Sequence, residues 1–370
     1  MDMNEPVTYR AEDATSAPQA PARAAAAQTR PRGPLGRLFA AFYAALPTRI
    51  TRLTRAVAIA TLVANIGIIL TGGAVRLTAS GLGCPEWPRC TPDSWVATQE
   101  MGINGAIEFG NRLLTYVLVA ICAGLFFAVV RLRRTHRPLL VMSVLILAGI
   151  PAQAAIGGIT VLTNLNPWVV GLHFLVSAGL VMLSTMILTR ITAELRQHRQ
   201  NLEGRASPGS VSLIDGETDS LSRSLATIAL GATWVAVVLG TVVTGTGPHA
   251  GDPGSPRHEF NPELVTRLHV IPVYILCAAA ILLLLRQVRL KTSGSQRLAA
   301  WLLIGAVLLQ GAIGYAQHLT GLPILLVWLH MLGSGLLMMS ATMVFDRYCS
   351  SYRTRGADGV LAEEPVPGNS

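Results

Sequence analysis

The chain has 370 residues, of which 51% are hydrophobic and 13% charged, and its mean hydropathy is +0.48. A soluble globular domain has about 25% charged residues, so this composition excludes an ordinary soluble domain and indicates an integral membrane protein. The net charge of +9 does not indicate nucleic-acid binding, because the Arg residues lie between apolar segments and aromatic residues make up only 6%.

The two ends of the chain are predicted to be solvated tails. Residues 1–48 are rich in Ala, Pro and Arg and contain no apolar core of about 7–15 residues near their start, so we expect no cleaved signal peptide. The composition predicts a disordered cytoplasmic tail over residues 1–50 and a second cytoplasmic tail over residues 346–370.

Eight apolar segments are each long enough, at roughly 17–25 residues, to cross a bilayer as a helix. They lie near 56–75, 110–130, 139–161, 167–189, 224–244, 268–285, 298–317 and 324–345. Several contain Gly, which membrane helices tolerate because it lets neighbouring helices approach closely. The sequence therefore predicts an all-α integral membrane fold of eight transmembrane helices.

The Arg and Lys residues indicate how these helices are oriented. The loops 131–138, 190–223 and 286–297 carry 13 of them, whereas the opposite loops carry five. Positively charged loops remain on the cytoplasmic side. We therefore predict a multi-pass protein of the plasma membrane with both termini in the cytoplasm.

An internal repeat divides the chain. "QAAIGGITVLTNLNPWVVGLH" (153–173) aligns without gaps to "QGAIGYAQHLTGLPILLVWLH" (310–330), which pairs Gln153 with Gln310 and His173 with His330. The repeat predicts two pseudo-repeated four-helix bundles.

The boundaries of this repeat follow from the apolar segments and from a Gly-, Ser- and Asp-containing stretch between them. They give a first half over 51–190, a cytoplasmic linker over 191–223 and a second half over 224–345. A second alignment, of "NRLLTYVLVA" (111–120) with "HVIPVYILCA" (269–278), places Asn111 at the position of His269.

Three of the eight histidines, His173, His269 and His330, lie within apolar segments. Ionisable side chains inside a membrane are costly and mark functional sites. The other five are predicted to be solvated or to be polar surface residues. They are His136, His198, His249, His258 and His318.

His269 and His330 come from the second and fourth helices of the second half and are predicted to lie at similar depth. Two histidines from facing helices can hold a flat haem through both axial positions. Zinc would require a third or fourth ligand, and no Cys, Asp or Glu lies at that depth in the second half. Haem is therefore favoured over zinc and over two histidines that only form hydrogen bonds across helices.

In the first half, His173 has only Asn111 at the opposite position, and Asn is a poor ligand for iron. A haem bound there would be five-coordinate or weakly ligated, which suits oxygen chemistry better than simple electron transfer. What occupies the position opposite His173 is left open by the sequence.

Cys84 and Cys90 lie in the loop after the first span, in "SGLGCPEWPRC" (80–90). A disulfide persists outside the membrane, and the six-residue separation allows a short closed loop. Zinc binding is less favoured because local ligands are few. Whether such a disulfide is structural or reacts during turnover is left open.

Glu108 is the one carboxylate at the start of an apolar helix in the first half, in "EFGNR" (108–112). It lies four residues before Arg112, so one interpretation is an interfacial ion pair that contributes only about 0.3–0.5 kcal/mol. The other interpretation is a partly buried carboxylate that transfers protons, or stabilises a cationic intermediate, beside the haem.

These segments together resemble the haem A synthase family. The motifs are "GGAVRLTASGLGCPEWPRC" (72–90), "EFGNR" (108–112), "GGITVLTNLNPWVVGLH" (157–173) and the two later histidines, and the resemblance covers roughly residues 55–345. It implies an oxidoreductase that converts haem O to haem A, by oxidising a ring methyl to a formyl group through successive hydroxylations, for cytochrome c oxidase.

The resemblance also implies roles for individual residues. His269 and His330 would bind haem b, His173 would ligate the substrate haem, and Glu108 would be the catalytic carboxylate. Arg76 and Arg112 become candidates for contacts with haem propionates, and Cys84 and Cys90 become a disulfide. Asn111 departs from the family pattern, since many members have histidine there ("E-x-x-H-R").

The partners implied are haem O as substrate, haem O synthase (a farnesyltransferase), oxidase assembly factors, membrane lipid and a second copy of the chain. Neither the electron donor nor the source of the formyl oxygen is indicated. Two alternatives remain: a b-type membrane cytochrome that only transfers electrons, and a haem transporter or chaperone. The cytochrome requires neither Glu108 nor the unusual Asn111.

Overall fold

The computed structural model of the chain describes residues 33–203, 218–290 and 294–350, and the regular structure within these ranges is entirely helical. The α-helices are α1 Pro34–Ala45, α2 Arg52–Leu77, α3 Gly102–Val129, α4 Arg137–Leu162, α5 Pro167–Leu202, α6 Ser220–Thr246, α7 Pro262–Arg289, α8 Gly294–Leu319 and α9 Ile324–Cys349. Helices α2 to α9 are long and apolar enough to cross a membrane. The predicted all-α fold with eight spanning helices is confirmed.

Helix α1 lies inside the segment for which the sequence predicted no regular structure. Pro34 occupies its first turn, where a missing N–H is tolerated. Leu35, Leu38 and Phe39 recur at the spacing of one helical face and are exposed. The remaining parts of the two predicted tails, residues 1–32 and 351–370, lie outside the described residues.

Helices α2–α5 form one ring of four, and α6–α9 form a second. In each ring every helix packs against the next, and the fourth returns to the first. Each ring has its own buried apolar core. A third core, which includes Leu62, Val181 and Met338, joins the rings, and there α5 and α9 pack against each other and against the first helix of the opposite ring. The sequence repeat is therefore also a repeat of packing.

The connections after α2, α4, α6 and α8 meet at one end of the rings, which we call the cysteine-loop end. There Gly81 N–H donates to the Gly251 carbonyl over 3.0 Å, and Leu165 packs against both glycines. His249 Nε2 lies 2.9 Å from the Leu322 carbonyl. The loops after α2, α4 and α6 thus contact one another, and the loop after α6 also contacts the loop after α8. These contacts fix the helix ends that carry the candidate site.

Two buried polar contacts lie at the opposite end of the rings. Asp346 in α9 is fully buried, and it accepts hydrogen bonds from Thr189 over 2.5 Å and from Arg190 over 3.0 Å. Removing one partner of such a buried pair costs about 3–5 kcal/mol. Arg190 lies inside α5, which continues to Leu202, rather than in the predicted loop that begins at residue 190.

His136 differs from the sequence prediction, which made it a solvated loop residue. Its side chain is buried, and Nε2 lies 2.7 Å from both carboxylate oxygens of Glu194. The reason is that α5 extends far enough to bring Glu194 beside the start of α4. The sequence pattern did not indicate this partner, because the apolar segment ends near residue 189 whereas the helix continues to Leu202.

Candidate functional site

The three histidines of the apolar segments lie within the first eight residues of their helices, at the cysteine-loop end. Each imidazole packs against a glycine of the preceding helix. A Cβ built on that glycine would lie 3.2–3.3 Å from the ring Cε1, closer than an ordinary van der Waals contact. The pairs are His173 with Gly157, His330 with Gly314, and His269 with Gly240. These glycines therefore form cradles that a larger residue would fill.

The orientation of His269 shows which ring nitrogen is available. Its Nδ1 lies 2.9 Å from the backbone carbonyl of Ala236, one turn before Gly240 on α6. A carbonyl only accepts hydrogen bonds, so Nδ1 carries the proton and Nε2 keeps its lone pair. An imidazole fixed in this way is prepared to ligate a metal through Nε2.

His330 lies in the same ring of helices, on α9. Its backbone carbonyl accepts a hydrogen bond from Gln310 Nε2 over 3.0 Å. Its Nδ1 is buried without a hydrogen-bond partner among the described residues. Two imidazoles from facing helices, one with a defined Nε2 lone pair, fit the axial ligation of a haem.

His173 is held in the first ring by matching contacts. Gln153 Nε2 donates to the His173 carbonyl over 3.0 Å, and His173 Nδ1 is again buried without a partner in the described part of the chain. Asn111 Oδ1 is also buried with no hydrogen bond there. The first ring thus holds one imidazole and one unsatisfied amide oxygen where the second holds two imidazoles.

Glu108 is buried in α3 and is held on two sides. Its Oε2 accepts a hydrogen bond from the Cys84 backbone N–H over 2.5 Å, and its Oε1 lies 2.5 Å from Arg112 Nη2. The Glu108 side chain is 7% exposed, so the pair is not the solvated interfacial ion pair that one interpretation of the sequence favoured. Because burial removes water from the carboxylate, the contacts to Cys84 and Arg112 are needed to offset the cost of burying its charge.

Arg112 also holds the loop that contains the cysteines. Its Nη2 donates to the carbonyls of Cys84 and Glu86 over 3.2 and 3.1 Å, and its Nη1 donates to the Arg89 carbonyl over 3.1 Å. Since both Nη atoms already have partners, the guanidinium is oriented toward the loop and Glu108.

Cys84 and Cys90 form a disulfide, and both residues are buried. The loop that they close docks on α4 through Trp87, whose ring lies where a Cβ on Gly158 would be, at 2.4 Å from Cδ2. Gly158 is therefore required for this docking. The loop, Arg112 and Glu108 form one connected unit at the mouth of the first ring.

Arg76, at the end of α2, connects the two rings. Its Nε donates to the His249 carbonyl over 2.7 Å, and its Nη2 donates to the Thr244 carbonyl over 3.0 Å. Its hydrogen bonds and ion pairs within the described residues include no carboxylate. A half-buried cation with only carbonyl partners is suited to bind an anionic group.

His258 was predicted to be a polar surface residue, but it is buried between Trp168 and Phe260. Burial, together with the nearby charge of Arg76, lowers the pKa of His258. By contrast, His198 and His318 are exposed as predicted. Within the described ranges, no group of three or more His, Cys, Asp or Glu side chains could hold a metal ion.

Sequence reasoning identified the histidines, Asn111 and Glu108 but not the residues that hold them. Gln153 and Gln310 were aligned by the repeat without a role being assigned to either, although the repetition was a usable signal. The contact between Cys84 N–H and Glu108 had no signal in the sequence, because a loop's hydrogen bonds depend on its tertiary position.

The fold and the site define a membrane protein of two similar four-helix rings, with three imidazoles packed against glycines at one end. The sequence matches the COX15-CtaA family, described as cytochrome oxidase assembly protein, over residues 55–342. The chain therefore belongs to this family of cytochrome oxidase assembly proteins.

Individual relatives agree with this assignment. The chain is similar to a haem A synthase of Shewanella oneidensis, with 25% identity over 316 residues, which covers 77% of this chain and 93% of that protein. Shorter matches are found to the haem A synthases of Listeria welshimeri, with 30% identity over 141 residues, and Lysinibacillus sphaericus, with 32% over 138 residues. Each of the shorter matches covers 44% of the relative.

Proposed function

We propose that this chain is a haem A synthase, an oxidoreductase that converts a methyl group of haem O to the formyl group of haem A. Its family and the names of its relatives support this activity. The observation that carries the proposal is the asymmetry between the rings. The second ring has His269 and His330, whereas the first has His173, Asn111 and the buried carboxylate of Glu108.

In the second ring, His269 and His330 would hold haem b through their imidazoles. Haem with two histidine ligands supplies one-electron transfer when it is bound. The Nδ1–H bond of His269 to the Ala236 carbonyl keeps Nε2 as the ligating atom. The glycine cradles at Gly240 and Gly314 let the imidazoles of His269 and His330 approach the neighbouring helices closely.

In the first ring, His173 would ligate the substrate haem O, and Asn111 would supply no strong second ligand. Arg76 binds a propionate, which supplies the anionic partner that its carbonyl contacts do not. Arg112, the other candidate for a propionate contact, orients Glu108 and the loop closed by Cys84 and Cys90.

Glu108 is the catalytic carboxylate. A buried carboxylate can exchange protons with a substrate at neutral pH, and a fixed hydrogen-bond geometry directs that exchange. Cys84 N–H and Arg112 fix Oε2 and Oε1 separately, so the carboxylate cannot rotate freely. A cytochrome that only transfers electrons does not require a carboxylate fixed in this way.

The remaining proposals concern where the protein lies and what it meets. We place it in the plasma membrane with both termini in the cytoplasm, because the Arg- and Lys-rich loops lie on one side. Haem O synthase and oxidase assembly factors are the candidate partners, and a homo-oligomer is the candidate assembly.

The test compares Glu108→Gln with Glu263→Gln in purified full-length protein. Glu263 is a matched control, since it also lies near the start of a helix and pairs with an Arg four residues later, Arg267, but that pair is exposed. We expect Glu108→Gln to bind haem but to yield little haem A on pigment extraction and mass analysis, with haem O accumulating. Glu263→Gln should be unaffected. A normal yield of haem A from Glu108→Gln would contradict the proposal.

A further inference from the structure

The same pair of residues contacts a histidine of the candidate site in each ring. In α4 and in α8, a glutamine precedes by four residues the glycine that forms the cradle, so both lie on one helical face. The glycine contacts the imidazole, and the glutamine Nε2 donates to the backbone carbonyl of the same histidine over 3.0 Å. The residues are Gln153 and Gly157 for His173, and Gln310 and Gly314 for His330.

Each of these histidines and glutamines also has one buried atom without a hydrogen-bond partner in the described ranges. The atoms are Nδ1 of His173 and His330 and Oε1 of Gln153 and Gln310. A neutral imidazole that ligates iron through Nε2 has a proton on Nδ1 to donate, and an amide oxygen can only accept. Buried polar groups are almost always paired. The same unpaired donor and acceptor therefore recur together in both rings.

His269 shows the completed arrangement. Its Nδ1 donates to the carbonyl of Ala236, which lies four residues before the cradle glycine Gly240. The acceptor on α6 thus occupies the position, relative to its glycine, that the glutamines occupy on α4 and α8. The difference is that a backbone carbonyl accepts from His269, whereas α4 and α8 carry at this position a glutamine whose side chain bonds to the backbone carbonyl of the histidine.

We propose that Gln153 and Gln310 are positioning residues for iron ligation, whose Oε1 atoms accept the Nδ1–H of His173 and His330 when the imidazoles bind haem. This inference rests on the proposed function. The hydrogen bond fixes the Nδ1–H tautomer, orients the ring and increases the basicity of Nε2. The Nε2 of each glutamine remains bonded to the histidine carbonyl, so one amide fixes both the backbone and the ring.

The competing explanation is that the glutamines only clamp the helix backbone. Two substitutions at residue 310 separate the explanations. Gln310→Glu keeps an acceptor for Nδ1–H and removes the amide donor, whereas Gln310→Leu removes both. Gln296→Leu is the control, because Gln296 is a buried glutamine of the same helix, 14 residues or roughly 21 Å away from residue 310.

The measurements are the optical and EPR spectra, the midpoint potential and the rate of haem loss of the purified full-length protein. We expect Gln310→Glu to retain a low-spin haem. Its ferric form should be favoured over its ferrous form at least tenfold more than in the wild type, which lowers the midpoint potential by at least about 59 mV. Gln310→Leu should lose haem about 10- to 100-fold more readily. Gln296→Leu should match the wild type.

The inference is overturned if Gln310→Glu has the wild-type potential, or if it loses haem as Gln310→Leu does, because then only the backbone clamp matters. A His330→Ala variant tests the proposed function separately. If that variant keeps the low-spin spectrum, or if the wild type has none, the haem site itself is wrong, whatever the glutamine variants show.

Discussion

Replacing Arg112 by Gln tests whether one guanidinium holds both Glu108 and the cysteine loop. The substitution removes the 2.5 Å ion pair with Glu108 and the bonds to three loop carbonyls over 3.1–3.2 Å. The Glu108 side chain is 7% exposed, so it would lose its counter-charge almost without access to water. Removing one partner of a buried pair costs about 3–5 kcal/mol. Since the Arg112 side chain is 22% exposed, we expect the lower part of that range, about 3 kcal/mol.

The assay is a double-mutant cycle on thermal unfolding in one detergent, with Glu108→Gln, Arg112→Gln and the double variant. The double variant has no unpaired buried charge, so it should be more stable than the sum of the two single effects predicts. Mass-tagging of Cys84 and Cys90 after mild reduction gives a second measurement, because a released loop exposes its disulfide. Strict additivity, with unchanged cysteine reactivity in Arg112→Gln, would refute the reasoning.

Two further substitutions test the glycine cradles and the cysteine-loop end. Gly240→Ala places a Cβ 3.2 Å from Cε1 of His269 and should weaken haem binding, which the absorption spectrum measures. The control is Gly231→Ala on the same helix, where a Cβ has no neighbour within 4 Å and the spectrum should not change. Equal spectra for the two variants would contradict the role of the cradle. Because the pKa of His258 lies below its ordinary value of 6.5, the unfolded chain binds more protons there and stability should fall as the pH drops from 7 to 5. His258→Phe should flatten that decline, and an identical pH slope of the unfolding midpoint would contradict the assignment.

The sequence predicted the features that depend on periodic patterns. Apolar segments of bilayer length predicted the eight spanning helices. The gapless repeat aligned His173 with His330, its counterpart in the second ring. Helix ends were less predictable, since α5 continues through charged residues to Leu202 and brings Glu194 to His136. Charged residues end an apolar segment without ending a helix.

Contacts between loops and helices could not be predicted, because they depend on tertiary position. The sequence identified Glu108 and Arg112 as an i, i+4 pair, but that spacing is the same for the exposed pair Glu263 and Arg267. What distinguishes the two pairs is the cysteine loop, which covers only the first. Burial of a carboxylate by a distant loop has no local signature.

One difference between the repeats matches the presence of this loop in the first ring. Gly158 aligns with Tyr315 in the gapless repeat. At Gly158 the absence of a Cβ lets the Trp87 ring lie against α4, where a Cβ would stand 2.4 Å from it. At the same place on α8, Tyr315 projects outward and its hydroxyl lies 2.9 Å from that of Tyr274. A side chain of that size at residue 158 would displace Trp87, and with it the loop whose Cys84 N–H holds the carboxylate.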